Sequence, residues 1–177
     1  MYFILYTIFF CLIFILSGCA TEVTFPEGDE PFLEYQYGNY GPDLIYNLYT
    51  KEITFYSDGK AEISTPIDSE IGIDSNAPHT LLFEVEPEEI EKLQNEIVKS
   101  DFFSLPEDLT DLDVMDGGYK FLTVHTEEES KKVGGGNPDN ETLDYLSDQV
   151  MEIVPEDSLR SFDENIEDYQ KEQGLRE

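Results

Sequence analysis

Alternating apolar and polar positions predict a β-sheet over much of the chain. The β-rich run at 44–65 is interrupted at 57–60 by Ser-Asp-Gly-Lys, and this pattern predicts two strands joined in a hairpin. Asp-Gly favours a tight hairpin turn because glycine takes a positive φ without strain. A third strand is predicted at 80–85, and two more at 119–126 and 131–133.

Apolar residues that recur every three or four positions predict helices between and after these strands. The first begins at Pro87 and carries Lys99 near the negative end of its dipole, and Asn137-Pro138 resembles the start of a second. Gly134-Gly135-Gly136 is interpreted as a flexible turn ahead of that second helix. The segment after Pro155 is either a third helix packed on the domain or a partner-binding segment. The residues predicted to share the apolar faces are Ile90, Leu93, Ile97, Leu143, Leu146, Val150, Leu159, Phe162, Ile166 and Tyr169.

The predicted order ββ-β-α-ββ-α is typical of an α+β domain, with an antiparallel sheet and helices packed on one face. We assign the domain to residues 43–154 and a helical tail to 155–177. Residues 19–42 are predicted to form an acidic tether, because prolines and glycines are frequent there and basic residues are absent. Alternating tyrosines in this segment also fit a short edge strand or a sugar-binding strip, and they are Tyr35, Tyr37 and Tyr40.

The first 16 residues are almost entirely apolar, with Thr7 the only clearly polar side chain. This run is short for a membrane-spanning helix, which needs about 20 residues, and it suits the core of a signal peptide. We therefore assign residues 1–18 to a signal peptide. The alternative is an uncleaved apolar anchor, and both arrangements attach the domain to a membrane.

Leu16-Ser17-Gly18-Cys19 follows this apolar run and resembles the lipobox of bacterial lipoproteins. The resemblance implies that the Cys19 thiol receives a diacylglyceryl group and that signal peptidase II cleaves the Gly18–Cys19 bond. The lipid would hold the protein in the bacterial cell envelope, outside the cytoplasm, since buried acyl chains contribute about 0.8 kcal/mol per CH₂. Because Cys11 leaves with the signal peptide, the mature chain would have no thiol for a disulfide, a metal or nucleophilic catalysis.

The chain is strongly acidic, since 40 Asp and Glu residues against 10 Lys and Arg residues give a formal net charge of −30. A chain of this charge is not expected to bind nucleic acid, because phosphate binding requires Lys and Arg. It is also not expected to lie flat on an anionic membrane. The acidic excess extends over the tether, the domain and the tail, so it describes the whole exported surface and fits the binding of cations or cationic peptides.

An acidic loop is the first candidate for metal binding, because Ca²⁺ takes several carboxylate oxygens. An EF-hand template does not fit it: with Asp111 as the first ligand, Leu122 stands where the final Glu is required. An irregular calcium site and a solvated loop without metal are the two remaining interpretations. The candidate ligands are Asp108, Asp111, Asp113 and Asp116.

The two histidines, His79 and His125, are the other candidate site residues. Neither lies in a motif such as His-Glu-x-x-His, so a zinc site or a catalytic pocket would require the fold to bring them together with carboxylates. The chain also has no Gly-x-Ser-x-Gly motif and no phosphate-binding loop. We therefore predict no catalytic residues, and no cofactor apart from the covalent lipid and the calcium alternative.

Three stretches of the mature chain are similar to small domains of unknown function that are common in bacterial lipoproteins. They are Ile53–Lys60, Glu88–Pro106, and the stretch from Asp116-Gly117-Gly118-Tyr119 to the helix at Asn137-Pro138. The similarity covers about residues 44–154. It implies an α+β envelope domain without an established activity, and it provides no catalytic residues.

These observations predict a binding or structural domain in the envelope, with a protein or peptide partner, rather than an enzyme. Two alternatives remain open. One is a hydrolase or metal-dependent enzyme whose site is assembled from histidine and carboxylates in the fold. The other is a module that binds cations or cationic peptides.

Overall fold

An antiparallel sheet of six strands forms the centre of the protein. The computed structural model describes residues 23–39, 50–65, 80–114 and 117–172. The strands lie in the order β4-β3-β2-β1-β5-β6, and every neighbouring pair is antiparallel. They are β1 (Pro31–Asn39), β2 (Lys51–Tyr56), β3 (Lys60–Ser64), β4 (Thr80–Glu84), β5 (Gly118–His125) and β6 (Ser130–Gly136).

Three α-helices complete the fold within the described residues. They are α1 (Pro87–Lys99), α2 (Glu141–Ile153) and α3 (Glu156–Glu172), and a short 3-10 helix at Phe102–Ser104 follows α1. The Asn140 side chain caps α2 by accepting a hydrogen bond of 3.0 Å from the backbone N–H of Leu143. The helix therefore begins three residues later than the predicted start at Asn137-Pro138.

The predicted α+β class is confirmed.

The helices cover one face of the sheet, and the hydrophobic core lies between the two layers. Every second strand residue points to this face, as the period of a β-strand requires. Two ion pairs join the layers at its margin: Lys120 of β5 with Asp144 of α2, and Lys51 of β2 with Asp163 of α3 at 2.7 Å. The largest fully buried side chains are Phe32, Phe55, Phe102, Phe162, Leu33, Ile53, Ile63, Ile97, Leu122, Leu143 and Leu146.

The structure differs from the predicted tether at 19–42, because Pro31–Asn39 forms β1, one of the two central strands of the sheet, paired with β2 on one side and β5 on the other. Phe32 and Leu33 are fully buried. Tyr35 and Tyr37 point to the helix-covered face, where their rings stack with centroids 5.1 Å apart. Packing against neighbours on both sides explains Tyr35 and Tyr37, so this part of the segment belongs to the folded domain, whereas Tyr40 lies outside the described residues.

Residues ahead of β1 are also attached to the domain. The backbone carbonyl of Thr24 accepts a hydrogen bond of 3.0 Å from the backbone N–H of Glu127, in the turn between β5 and β6. The Phe25 ring packs edge-on against Phe32, with centroids 5.6 Å apart. The chain is therefore held against the domain from residue 24 onwards.

The tail predicted at 155–177 packs on the domain as α3 over its described part. Phe162 and Ile166 belong to the hydrophobic core, with 1% and 5% of their surfaces exposed. The helix also contacts β4. Of the two interpretations left open by the sequence, the structure supports packing rather than a free partner-binding segment.

Gly134-Gly135-Gly136 is the buried end of β6 and not the flexible turn that the sequence predicted. A backbone segment, residues 107–111, runs alongside these glycines. A Cβ on Gly134 would lie 2.1 Å from the carbonyl oxygen of Lys120, and one on Gly135 would lie 2.6 Å from the backbone nitrogen of Thr110. Glycine is required here because backbone approaches backbone too closely for a side chain.

Candidate functional site

The sheet face opposite the helices carries most of the polar strand residues, and we call it the open face. Cross-strand pairing places one row of side chains over all six strands, because directly opposed residues in antiparallel strands point to the same side. The row consists of Leu82, Glu62, Thr54, Glu34, Thr123 and Lys132, from β4 to β6. Glu52 and Phe121 belong to the adjacent row.

Carboxylates are concentrated in the middle of the open face. Burial raises the pKa of Glu52, and the nearby charges of Glu34 and Glu62 raise it further. The charge of Lys132 acts in the opposite direction. The face therefore favours positive charge close to these carboxylates, since a cation lowers the free energy of their ionised forms.

Lys132 balances the carboxylates at the β6 side of the open face. Its ammonium nitrogen lies 4.5 Å from the centre of the Phe121 ring, which is the geometry of a cation–π contact. At the β4 side, Leu82 ends the same row and is 75% exposed. The open face is thus positive at one edge, acidic in the middle and apolar at the other edge.

His125, a predicted pocket residue, lies at one end of the open face. Its Nε2 atom is buried, lies 3.5 Å from Oε1 of Glu34 and has no hydrogen-bond partner, while its Nδ1 atom is 2.7 Å from the Ser130 hydroxyl oxygen. Glu34 is the only carboxylate within ion-pair distance among the residues that the structure describes. The proposed pairing with His79 lies outside the described residues. The enzyme alternative, which requires a histidine with two acids, stays a prediction.

The predicted calcium ligands are partly engaged in local hydrogen bonds. Hydrogen bonds from the Thr110 side chain and from the Thr110 backbone N–H, the latter at 2.9 Å, lower the pKa of Asp108. Asp111 accepts a bond of 2.9 Å from the Asp113 backbone N–H. Asp116 lies outside the described residues. Within 23–39, 50–65, 80–114 and 117–172, no three histidine or carboxylate side chains are grouped as a metal site would need. The calcium site stays a prediction.

A shallow cavity of about 300 Å³ lies at the ends of β1 and β5. Tyr37, Tyr119, Lys120 and Asn137 are among the residues that line it. Burial raises the pKa of Tyr37 to about 12, with smaller contributions from the neighbouring Tyr35 and from the charge of a more distant aspartate. The phenol is therefore protonated at neutral pH, so it can donate a hydrogen bond and does not serve as a base.

A second cavity of about 260 Å³ lies between α1 and α2. The Tyr145 hydroxyl donates a hydrogen bond of 2.8 Å to Oε2 of Glu96 across it, and this bond lowers the pKa of Glu96. Lys99 also pairs with Glu96 at 3.1 Å. The Tyr145–Glu96 bond therefore ties the two helices together, whereas the Lys99–Glu96 pair lies within α1.

Comparison with known proteins adds no assignment: no protein-family model matches the chain, and no curated protein sequence matches it significantly. Among the described helices, none combines the length and the apolar character needed to span a bilayer. The predicted lipidation and cleavage residues, Gly18 and Cys19, lie outside the described residues.

Sequence reasoning missed the open face as a candidate site. The row from Leu82 to Lys132 depends on the register of five strand pairs, and register is not visible in a single sequence. One signal was present: polar residues at alternate positions in the β-rich runs, such as Glu52 and Thr54 or Glu62 and Ser64, indicate a sheet with one polar face.

Proposed function

We propose that this protein is a lipid-anchored lipoprotein of the bacterial cell envelope whose α+β domain binds a protein or peptide partner. The observation that carries the anchor is the sequence Leu16-Ser17-Gly18-Cys19, directly after an apolar run of signal-peptide length. The open face supports the binding role, because a polar sheet face that no described helix covers is available to a partner.

The attachment of residues 24 and 25 to the domain limits the distance between the lipid anchor and the domain. Only residues 20–23 separate the lipidated Cys19 from Thr24, which is bound to the β5–β6 turn. An extended chain spans at most about 3.6 Å per residue, so the lipid and the domain are about 18 Å apart at most. A domain on so short a connection is presented close to the membrane surface, with the β5–β6 turn at the membrane side.

Mass spectrometry of the N-terminal peptide from the membrane fraction tests the anchor. We expect a mature N-terminus at Cys19 that carries a diacylglyceryl group. Cys19→Ala should abolish both the lipid and the cleavage, because no thiolate is available for alkylation. Cys11→Ala is the matched control, and it should be processed like the wild type. An intact Met1 terminus with an unmodified Cys19 would contradict the proposal.

A further inference from the structure

The outer edge of β4 has the geometry of an unpaired strand. The Val85 N–H donates a hydrogen bond of 2.8 Å to the Gly59 carbonyl, and β4 continues from there in regular antiparallel register with β3. Along an antiparallel pair, residues whose backbone groups hydrogen-bond to the neighbouring strand alternate with residues whose backbone groups point away from it. Leu81 and Phe83 therefore bond to β3, whereas the N–H and C=O groups of Leu82 point away from the sheet.

The same alternation directs the backbone groups of Thr80 and Glu84 outwards. Within the described residues, no backbone hydrogen bond is made to the outward groups of β4. The side chains also leave the edge accessible, since Leu82 is 75% exposed and both Thr80 and Glu84 are exposed. An edge of this kind can receive an added strand through main-chain hydrogen bonds.

The negative charge around this edge indicates which kind of strand is favoured there. Glu62 is the cross-strand neighbour of Leu82, Glu84 is within the edge, and Glu86 follows it. Lys60 is the cross-strand neighbour of Glu84, and its ammonium group is paired with Asp58 at 2.6 Å. A second copy of this chain would bring identical carboxylates against these, and like charges across an interface oppose association. A strand that carries Lys or Arg is favoured for the opposite reason.

We propose that β4 is a docking edge for an extended, basic segment of a partner protein, which adds to the sheet as a seventh strand. An apolar partner residue would lie beside Leu82, and Lys or Arg residues would lie beside Glu84 and Glu62. The inference rests on the proposed function, because it specifies the partner of the envelope binding domain. Main-chain bonds provide affinity in this mode, and the side chains provide selectivity.

Titration of the lipidated full chain in neutral detergent tests this edge. The probe is the peptide acetyl-Lys-Val-Thr-Val-Lys-Val-amide, and the control peptide has Glu in place of both Lys residues. We expect saturable binding by calorimetry and amide shifts confined to 80–86, with the Glu peptide at least about tenfold weaker. Equal binding of the two peptides would overturn the proposal, as would shifts that avoid β4.

Two variants separate strand addition from general attraction to an acidic surface. Leu82→Pro removes one outward N–H and should weaken binding about tenfold, whereas Leu82→Ala keeps that N–H and should weaken it only about threefold. Glu84→Lys combined with Glu86→Lys leaves the backbone intact and should reverse the preference in favour of the Glu peptide. This second variant keeps the proposal testable if Leu82→Pro fails to fold.

Other outcomes are also decisive. Unchanged peptide affinity in Leu82→Pro and in the Glu84→Lys, Glu86→Lys double variant would place binding elsewhere on the acidic surface and overturn the proposal. Concentration-dependent dimerisation that Leu82→Pro abolishes would assign the edge to a second copy, and would overturn it too. Processing at Cys19 is measured on the same preparation by mass spectrometry. Failure of the anchor and failure of the docking edge are therefore read separately.

Discussion

The two outer strands of the sheet end it in different ways. At β6, residues 107–111 run alongside the strand: the Leu109 N–H donates to the Gly134 carbonyl at 2.8 Å, and the Gly134 N–H donates to the Glu107 carbonyl at 3.0 Å. The Asp111 N–H adds a bond of 2.9 Å to the Gly136 carbonyl. At β4, no described segment occupies the corresponding position. One edge is closed by the chain itself, whereas the other is open within the described residues.

Glycine accounts for the difference between the two edges. Gly135 has no side chain, so the backbone at Thr110, within residues 107–111, can approach β6 closely, whereas the close contacts of Gly134 are with β5. β4 instead carries Leu82, with charged residues after it, and these discourage self-association without hydrogen-bonding the strand. Sealing an edge therefore requires close backbone approach, whereas charge alone leaves the edge open to an oppositely charged strand.

The largest effect is expected from Gly135→Ala, which tests the closed edge. A Cβ at this position would meet the Thr110 backbone nitrogen at 2.6 Å and the Thr110 Cα at 2.9 Å, so the backbone of residues 107–111 must move. We expect the free energy of unfolding in urea to fall by about 3 kcal/mol. Gly28→Ala is the matched control: its φ is also positive but nothing lies within 4 Å, so about 1 kcal/mol is expected. Equal losses would show that the closed edge is not sterically constrained.

Proline substitutions compare the stability of the two edges directly. Leu109→Pro removes the N–H that donates to Gly134, and we expect a loss of about 2 kcal/mol, because a buried carbonyl loses its partner. Leu82→Pro removes an N–H that points outwards and should cost less than about 1 kcal/mol. Urea unfolding of the two variants measures this difference. A larger loss for Leu82→Pro would contradict the assignment of β4 as the open edge.

The smallest effect on the free energy of unfolding is expected from a substitution on the open face, which lies between the two edges. The pKa of Glu52 is raised by burial and by neighbouring carboxylates, so its ionised form is less favourable in the folded state than in the unfolded chain. The related stability is present below the unfolded pKa and is lost as pH rises through the folded pKa. Glu52→Gln should therefore gain about 0.5 kcal/mol at pH 7 and nothing at pH 3.5, measured by urea unfolding. A loss of stability at pH 7 would contradict the assigned electrostatics.

The sequence predicted the elements that local pattern specifies. The Asp58-Gly59 hairpin, the strands around it and the helix from Pro87 all follow from periodicity and turn chemistry. β1 was predicted only as an alternative, a short edge strand, because prolines, glycines and acids made its surroundings resemble a linker. A strand with neighbours on both sides owes its stability to partners far along the chain, and single-sequence patterns do not contain that information.

The candidate site depended even more on tertiary structure. Glu34, Glu62 and Lys132 lie in one row only because three separate strands align, and the outward direction of Leu82 depends on the hydrogen-bonding phase of β4. The glycines at 134–136 were visible as a breaker signal. Their close contact with residues 107–111 was not, since both a flexible turn and a tight approach of two backbones favour glycine.

Amide hydrogen exchange tests the difference between the edges most directly. The N–H groups of Leu109 and Asp111 are bonded to β6, so their exchange should be slowed by local stability. The N–H groups of Leu82 and Glu84 should exchange at least about a hundredfold faster in the same sample, because they point to solvent. Equal protection of all four amides would show that β4 is covered and would contradict the account.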